Sequence, residues 1–416
     1  MIRSSALYIS LIISILIALI CGSILLVSFM YKMHESKLQR YERLNRNALS
    51  ASILVMHESF LYNQVERISL FEGKDDWGDS AILEKRQWGV YELGLVTTFK
   101  NTDSVKKAFL IGSEADNTTT ALYIADEDRP VSISGKARIE GTAYLPKSGI
   151  KAAYVGESSY DGKELVYGKV LESTRDLPVA NSTLISGLNE LLRGSNSQQK
   201  ESLPDSLTHS FFKKVKRIHL SPSSPVLSNN RISGNIIISA DSLIQVDALS
   251  SLDQVILVAP HVKVSSGFKG RLQIIASDSI TIESSVTLGY PSALILIKPD
   301  TAGFQPKLNI GENSVVQGQV FAWEKTRSQM MPLISIGKGS TVKGEIWSKG
   351  YVQLGQNSIV NGSVSAIRLI ANISSIIYEN YLIDVLISRS SLSKYYSGSK
   401  MFNSAGKSGS LLCHLH

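Results

Sequence analysis

Residues 336–347 read IGKGSTVKGEIW and residues 354–364 read LGQNSIVNGSV, nearly the same phrase eighteen residues apart. A third copy, IGENSVVQGQV at 310–320, fits at every position, and a looser fourth, ISGKARIEGTA at 133–143, keeps the apolar start and Gly141. A phrase repeated in this way signals an architecture made by stacking one unit. In each copy the alternation Val316, Gly318, Val320, then Val342, Gly344, Ile346, then Val360, Gly362, Val364 has the period of a strand with one buried face. The Gly, Asn and Ser clusters ahead of it tolerate the positive φ of a sharp corner. Strand, corner and strand in this length predict one coil of a parallel β-helix, each strand pairing above and below at roughly 4.8 Å.

The same alternation runs from Arg231 to about Asn372, which suggests roughly seven coils. The segment IIYENYLIDVLI at 376–387 reads as a strand pair closing the last coil. Upstream, the solenoid opens at Val131 and is interrupted by an insertion at about 160–230, with a helix STLISGLNELLRG and a Ser- and Pro-rich stretch, LSPSSPVLSNN. Short alternations between Gln64 and Pro130 predict a small β-rich domain.

From Ser4 to Tyr31 there is no charged residue, a run long enough to span a bilayer with some tilt. It continues past any small-residue cleavage site, so it reads as an uncleaved signal anchor. Beyond it, residues 32–60 lack Gly and Pro, and Leu38, Tyr41, Leu44, Ala48 and Leu49 recur at helical spacing, which extends the helix as a stalk to about Tyr62. The expected fold is therefore mainly β: a transmembrane anchor at 1–31, a stalk at 32–62, a small β-rich domain at 63–130, a right-handed β-helix at 131–389 with its insertion, and a flexible polar tail at 390–416.

The chain has 416 residues and a net charge of +7. Its two cysteines, Cys21 and Cys413, build no disulfide framework, so burial and ladder hydrogen bonds must hold the fold. Residues 4–31 make the lipid bilayer a partner, and the bacterial inner membrane the expected location. The bulk of the chain is expected on the periplasmic side, although Lys32, Lys37, Arg40, Arg43 and Arg46 beyond the span argue the reverse by the positive-inside rule. Six triplets beginning at Asp79, Asp103, Asp205, Asp241, Asp278 and Asp300 look like the acceptor pattern of a periplasmic O-glycosylation system, and Asp-Ser is also ordinary turn chemistry.

The segment GSTVKGEIWSKGYVQLGQNSIVNGSVSA at 339–366 resembles the bactofilins, polymer-forming bacterial β-helix cytoskeletal proteins. That resemblance implies the fold and a scaffolding role; the anchor, stalk and insertion depart from it. The long helix followed by strands resembles the layout of type IV pilins and pseudopilins without their processing motif.

A left-handed hexapeptide acyltransferase would use a His base, but His261 lies beside Pro260 with no acidic neighbour in sequence, and the six-residue grid through Ile336, Val342, Leu354 and Val360 fails at Ser348. A polysaccharide lyase or hydrolase needs stacked carboxylates, whereas the aligned copies carry Glu312, Lys338 and Gln356 at one position and Gln319, Glu345 and Ser363 at another. Trp323 and Trp347 are placed one position apart in the repeat frame, hence on opposite faces, which gives no aromatic row for sugar. The acidic turn GKDDWGDS at 73–80 lacks the ligands of a calcium-binding EF-hand, and AGKSGS at 405–410 lacks the first Gly of a phosphate loop. The basic run FFKKVKRIHL at 211–220 suits a solvated face, anionic lipid or glycan better than nucleic acid. The expectation is a non-enzymatic structural or assembly protein with no catalytic, cofactor-binding or metal-ligating residues. Its partners would be other proteins or further copies of itself, and cell-envelope glycan. The alternatives are a polysaccharide-binding or polysaccharide-processing β-helix and a membrane-tethered cytoplasmic scaffold. On the structural reading, His261, Glu283, Glu312 and Glu345 are individually dispensable.

Overall fold

A run without charge can satisfy its backbone in lipid only as a helix, and residues 4–31 fall within helix α1, Ile2–Met56. Three serines that interrupt the apolar run fold back on it: Ser10, Ser14 and Ser23 donate to the carbonyl oxygens of Leu7, Leu11 and Ile20 at 2.9, 2.8 and 2.7 Å. Side chains from Leu7 to Tyr31 are exposed, and the helix is long and apolar enough to cross a membrane. The structure, a computed structural model, describes residues 2–57, 60, 62, 64–69, 79–114, 120–156, 159–194, 203–373, 376–401 and 409–415. The acidic turn expected at 73–80 lies outside them except for Asp79 and Ser80. Two units are distinguished, one of residues 1–55, 63–85 and 95–107 and the other of 56–62, 86–94 and 108–416.

In the first unit the end of α1 packs through a stripe that the sequence only half revealed. Leu38, Tyr41 and Leu49 are exposed, while Leu44, Ala48, Ala51 and Val55 are buried at the spacing of one helical face. The helix stops at Met56 rather than near Tyr62. Asp79, only 1% exposed, accepts from Arg43 Nη2 at 3.2 Å and Asn47 Nδ2 at 2.9 Å and forms ion pairs with Arg43 and with Lys100, whose Nζ is 3.7 Å away. A buried carboxylate with this set of partners ties α1 to one register, because losing a partner would leave charge without solvent or counter-ion. Thr98 adds a hydroxyl bond to the Leu44 carbonyl at 2.9 Å, and Val65–Ser69 pairs antiparallel with residues 80–84.

The second unit is dominated by a parallel sheet that closes on itself. The repeated phrases lie directly over one another: Val316 pairs with Val342 and Val342 with Val360, Ile310 with Ile336 and Ile336 with Leu354. These inward residues join one continuous, mostly aliphatic core whose members run in sequence from Ala121 to Ile387. Gly318, Gly344 and Gly362 stack at φ of 138°, 146° and 152°. A Cβ on Gly344 would come 1.8 Å from the Gly318 carbonyl oxygen, so glycine is required by the close approach as well as by the backbone angle. The corner serines are interior. Ser340 Oγ accepts from the Ser314 amide at 3.1 Å and donates to the Gly311 carbonyl at 2.7 Å, which satisfies backbone groups that the turn removes from the ladder.

Chain order and stacking order differ. The strand Ile359–Ile373 is followed in the stack by Leu386–Ser388 on one side and by Thr120–Ile124 on the next. Arg138–Glu140, Thr142–Leu145, Ile150–Ala152 and Val170–Glu172 then continue in parallel register. Residues 376–388 therefore do not end the sheet: Ile376–Glu379 turns back antiparallel, and Tyr381–Ile383 pairs with Ser132–Ser134 from far earlier in the chain. The interruption expected at 160–230 is also shorter. Val170–Glu172 belongs to one end of the stack and Ser206–His209 to the other, so only about 173–205 leaves the sheet. That segment includes α2, Ser182–Arg193, whose first turn is capped by Asn181 Oδ1 accepting from the Thr183 and Leu184 amides.

The polar tail is partly ordered, because partners distant in sequence supply what its composition lacks. Tyr396, Ser397, Ser399 and Met401 are buried, Tyr290 Oη donates to the Ser397 carbonyl at 2.8 Å, and Gly409–Leu415 pairs antiparallel with residues 108–113. The phosphate-loop-like segment lies mostly outside the described residues, with only Gly409 and Ser410 seen, in that strand.

Candidate functional site

The regular step between layers is eighteen residues, as from Thr341 to Ile359, but Thr287 pairs with Val315 and Val315 with Thr341. Two neighbouring layers thus carry extra chain, and both spend most of it at the same corner, at 298–306 and 324–332, the first also taking two residues at the irregularity between Leu288 and Ser292. Excursions from a rigid repeat are where a stacked fold can place side chains without disturbing its core. Lys298, 5% exposed, holds the corner together: its ammonium donates to Ser328 Oγ at 2.8 Å and the Met330 carbonyl at 2.7 Å and lies 3.9 Å from the buried Glu324 carboxylate.

These excursions form one wall of a cleft of about 1340 Å³, and the segment 175–193 with α2 forms the other. Along its floor the cleft meets successive layers, from Asp241 through Pro260, Ser277 and Ile297 to Trp323, Trp347 and Ile367. Its charged lining is mixed, with Arg175, Arg193, Lys298, Lys325, Arg327 and Lys349 against Asp176, Glu190, Asp241 and Asp300. Lys325 pairs with Asp300 at 3.7 Å, Arg327 pairs with Glu127, and Lys349 donates to the Lys325 carbonyl at 2.7 Å.

The two tryptophans correct an expectation. Phe321 pairs with Trp347, and Trp323 lies two residues beyond Phe321, so both indoles project to the same outer side. Phe321 and Trp347 stack at 4.9 Å between centroids and are buried, whereas Trp323 is half-buried with the Lys349 ammonium 6.0 Å from its ring centre. The sequence signal for this place is the 26-residue step from Ile310 to Ile336, against eighteen from Ile336 to Leu354, and the corner it lengthens is where Lys325 and Arg327 reach the cleft.

Stacking also brings acids to histidines that lack them in sequence. His261 lies 2.9 Å from Ser279 Oγ and 3.6 Å from Asp278, and His219 lies 3.0 Å from Ser239 Oγ and 3.2 Å from Asp241. In each case the partners come from the next layer. His219 and Ser239 are buried, which makes that group a ladder contact.

Glu283 is held below its ordinary range by Lys263 at 2.8 Å and by the Ser266 amide at 2.9 Å. Glu312 keeps to its expected place in the repeat, its carbonyl accepting from the Ser285 amide at 2.9 Å. Glu345 differs from both. It is half-buried, receives Gln319 Nε2 at 2.9 Å, and burial pushes its carboxyl up while Arg389 opposes the shift. The basic run at 211–220 divides: Phe211 is buried edge-on against Trp88 at 5.5 Å, while Lys213, Lys214 and Arg217 are exposed. Among the triplets, Asp79 is buried, and Ser104, Ser206, Ser242 and Thr301 are exposed. No group of His, Cys, Asp and Glu suited to a metal occurs among the described residues.

No family model, curated protein or solved structure matches the chain.

Proposed function

We propose that the protein is a non-enzymatic, membrane-anchored structural or assembly component of a bacterial envelope, its closed parallel sheet being a right-handed, three-sided β-helix. The observation that carries this reading is how the chain divides its labour. An apolar helix satisfies its own serine hydroxyls, and a long sheet fills its interior with aliphatic side chains and its corners with Gly, Ser and Asn. Such a body supplies rigid surface and a tether rather than convergent reactive groups. The bactofilin-like phrases favour a scaffold, and the helix-then-strand layout favours a role like that of a pseudopilin. The bulk of the chain lies in the periplasm on this reading, with proteins or further copies of the chain as partners.

The test is topology and tethering in the native membrane. Protease added to spheroplasts should cleave the chain beyond Lys32, and deletion of residues 1–31 should abolish function while the remaining protein still accumulates. Protection in intact spheroplasts with cleavage only after lysis would move the protein to a cytoplasmic scaffold.

A further inference from the structure

We propose that the cleft between α2 and the lengthened corner binds an acidic oligosaccharide, a chain of sugars bearing scattered carboxylates. This goes beyond the scaffold reading and does not rest on membrane topology.

Length comes first. From the layer of Asp241 to that of Ile367 the cleft crosses seven layers, and at the strand spacing this is about 29 Å. Its volume of about 1340 Å³ exceeds the range of roughly 300–1,000 Å³ for sites that take one compact ligand. The occupant is therefore a chain molecule.

The floor then decides which chain. It is the outer face of a sheet whose amides and carbonyls are already used in ladders on both sides, so a peptide cannot add as a strand there. Recognition falls to side chains. Trp323, half-buried on the lining, offers an indole of the sort on which a sugar ring sets its axial C–H bonds. Ser182, Ser186 and Asn189 on α2 and Thr301 opposite offer hydroxyl and amide partners. Arg193 has no acidic partner among the described residues, and Lys325 pairs with Asp300 only at an exposed edge, where a ligand carboxylate can compete. The acids Asp176, Glu190 and Asp241 on the same lining repel a densely charged polymer such as single-stranded nucleic acid and tolerate one with widely spaced charge.

The experiment uses the full chain in nanodiscs. Isothermal titration with a hexagalacturonate is compared with the fully methyl-esterified hexamer and a ten-nucleotide oligothymidylate. The acid form should bind at least about tenfold more tightly than its ester and than the oligonucleotide, and more weakly as salt rises. Trp323→Ala, and separately Arg193→Gln with Lys325→Gln, should each lose about tenfold in affinity or more with an unchanged melting temperature. Lys343→Gln, outside the cleft, should bind as the unaltered protein does. Absence of binding, equal binding of acid and ester, preference for the oligonucleotide, or full affinity in Trp323→Ala would each overturn the proposal. None of these outcomes bears on where the protein lies in the membrane.

Discussion

The layers at 341–373 and those at 287–336 share one frame and use it differently. In the first, the chain keeps to the stack: Val342, Ile346, Val352 and Leu354 point inward, Gly344 and Gly362 permit contact, and only outward residues such as Trp347, Lys349 and Ile367 reach the cleft. In the second the same inward positions are kept, by Leu288, Leu294, Val316 and Val320, while extra chain at one corner carries Lys298, Lys325 and Arg327 to the cleft. A stack tolerates an excursion where strands end, since loop length costs little, but not where the layers touch. The inward positions that make the fold are accordingly kept apart from the outward and corner positions that reach the cleft.

The largest effect should come from striking the regular layers where backbones meet. Gly344→Val places a Cβ 1.8 Å from the Gly318 carbonyl oxygen at a backbone angle that branched residues avoid. We expect no folded protein, measured as loss of the cooperative melting transition. A normal transition would mean that the layers are not in contact there.

Next, Val342→Asp puts an unpaired carboxylate in the core, at 0% exposure, and should cost about 4 kcal/mol in denaturant unfolding. A loss under about 1 kcal/mol would break the assigned inward register.

Within the lengthened corner, Lys298→Met leaves Glu324 buried without its cation and should cost about 3 kcal/mol. The loss should be local, seen as faster proteolysis within 324–332 at an unchanged main transition. Disruption of the whole sheet would show that the corner is part of the stack.

A smaller effect concerns Glu345, which sits in the regular layers yet has an acid where its neighbours have Gln319 and Ser363. Its carboxyl is raised by burial above the ordinary value of 4.5, so the folded chain keeps a proton that the unfolded chain has released. The contribution is full below that ordinary value and is lost as pH rises through the raised one. Glu345→Gln should remove this downward slope and raise the melting temperature at pH 8 by a few degrees relative to the unaltered protein, with little difference at pH 4. A larger gain at pH 4 would reverse the assignment.

The smallest effect is Lys343→Asp, one residue from Val342 on an exposed side, with an expected change within about 0.5 kcal/mol. Equal losses for Val342→Asp and Lys343→Asp would dissolve the contrast between inward and outward positions.

The apolar helix, the repeat and the buried faces are legible in the sequence because each is a local pattern: absence of charge over one span, alternation of period two, Gly and Asn at fixed corners. The repeat gives Ile310, Ile336 and Leu354 one equivalent position, and they pair in register. Tertiary structure decided what local pattern cannot hold. Residues 120–172 stack beyond residues 359–373 because an open ladder binds any strand of matching face, whatever its place in the chain. The tail at 396–401 is ordered because Tyr290 and Gly318 meet it, a contact between segments far apart in sequence. Trp323 and Trp347 share a face because Trp323 lies two residues beyond Phe321, the ladder partner of Trp347, and a shift of one position in a period-two frame reverses a side chain. His261 gains Asp278, and His219 gains Asp241, because stacking makes neighbours of residues about one layer apart. The cleft itself depends on where 173–205 lies along the stack, which no alternation records.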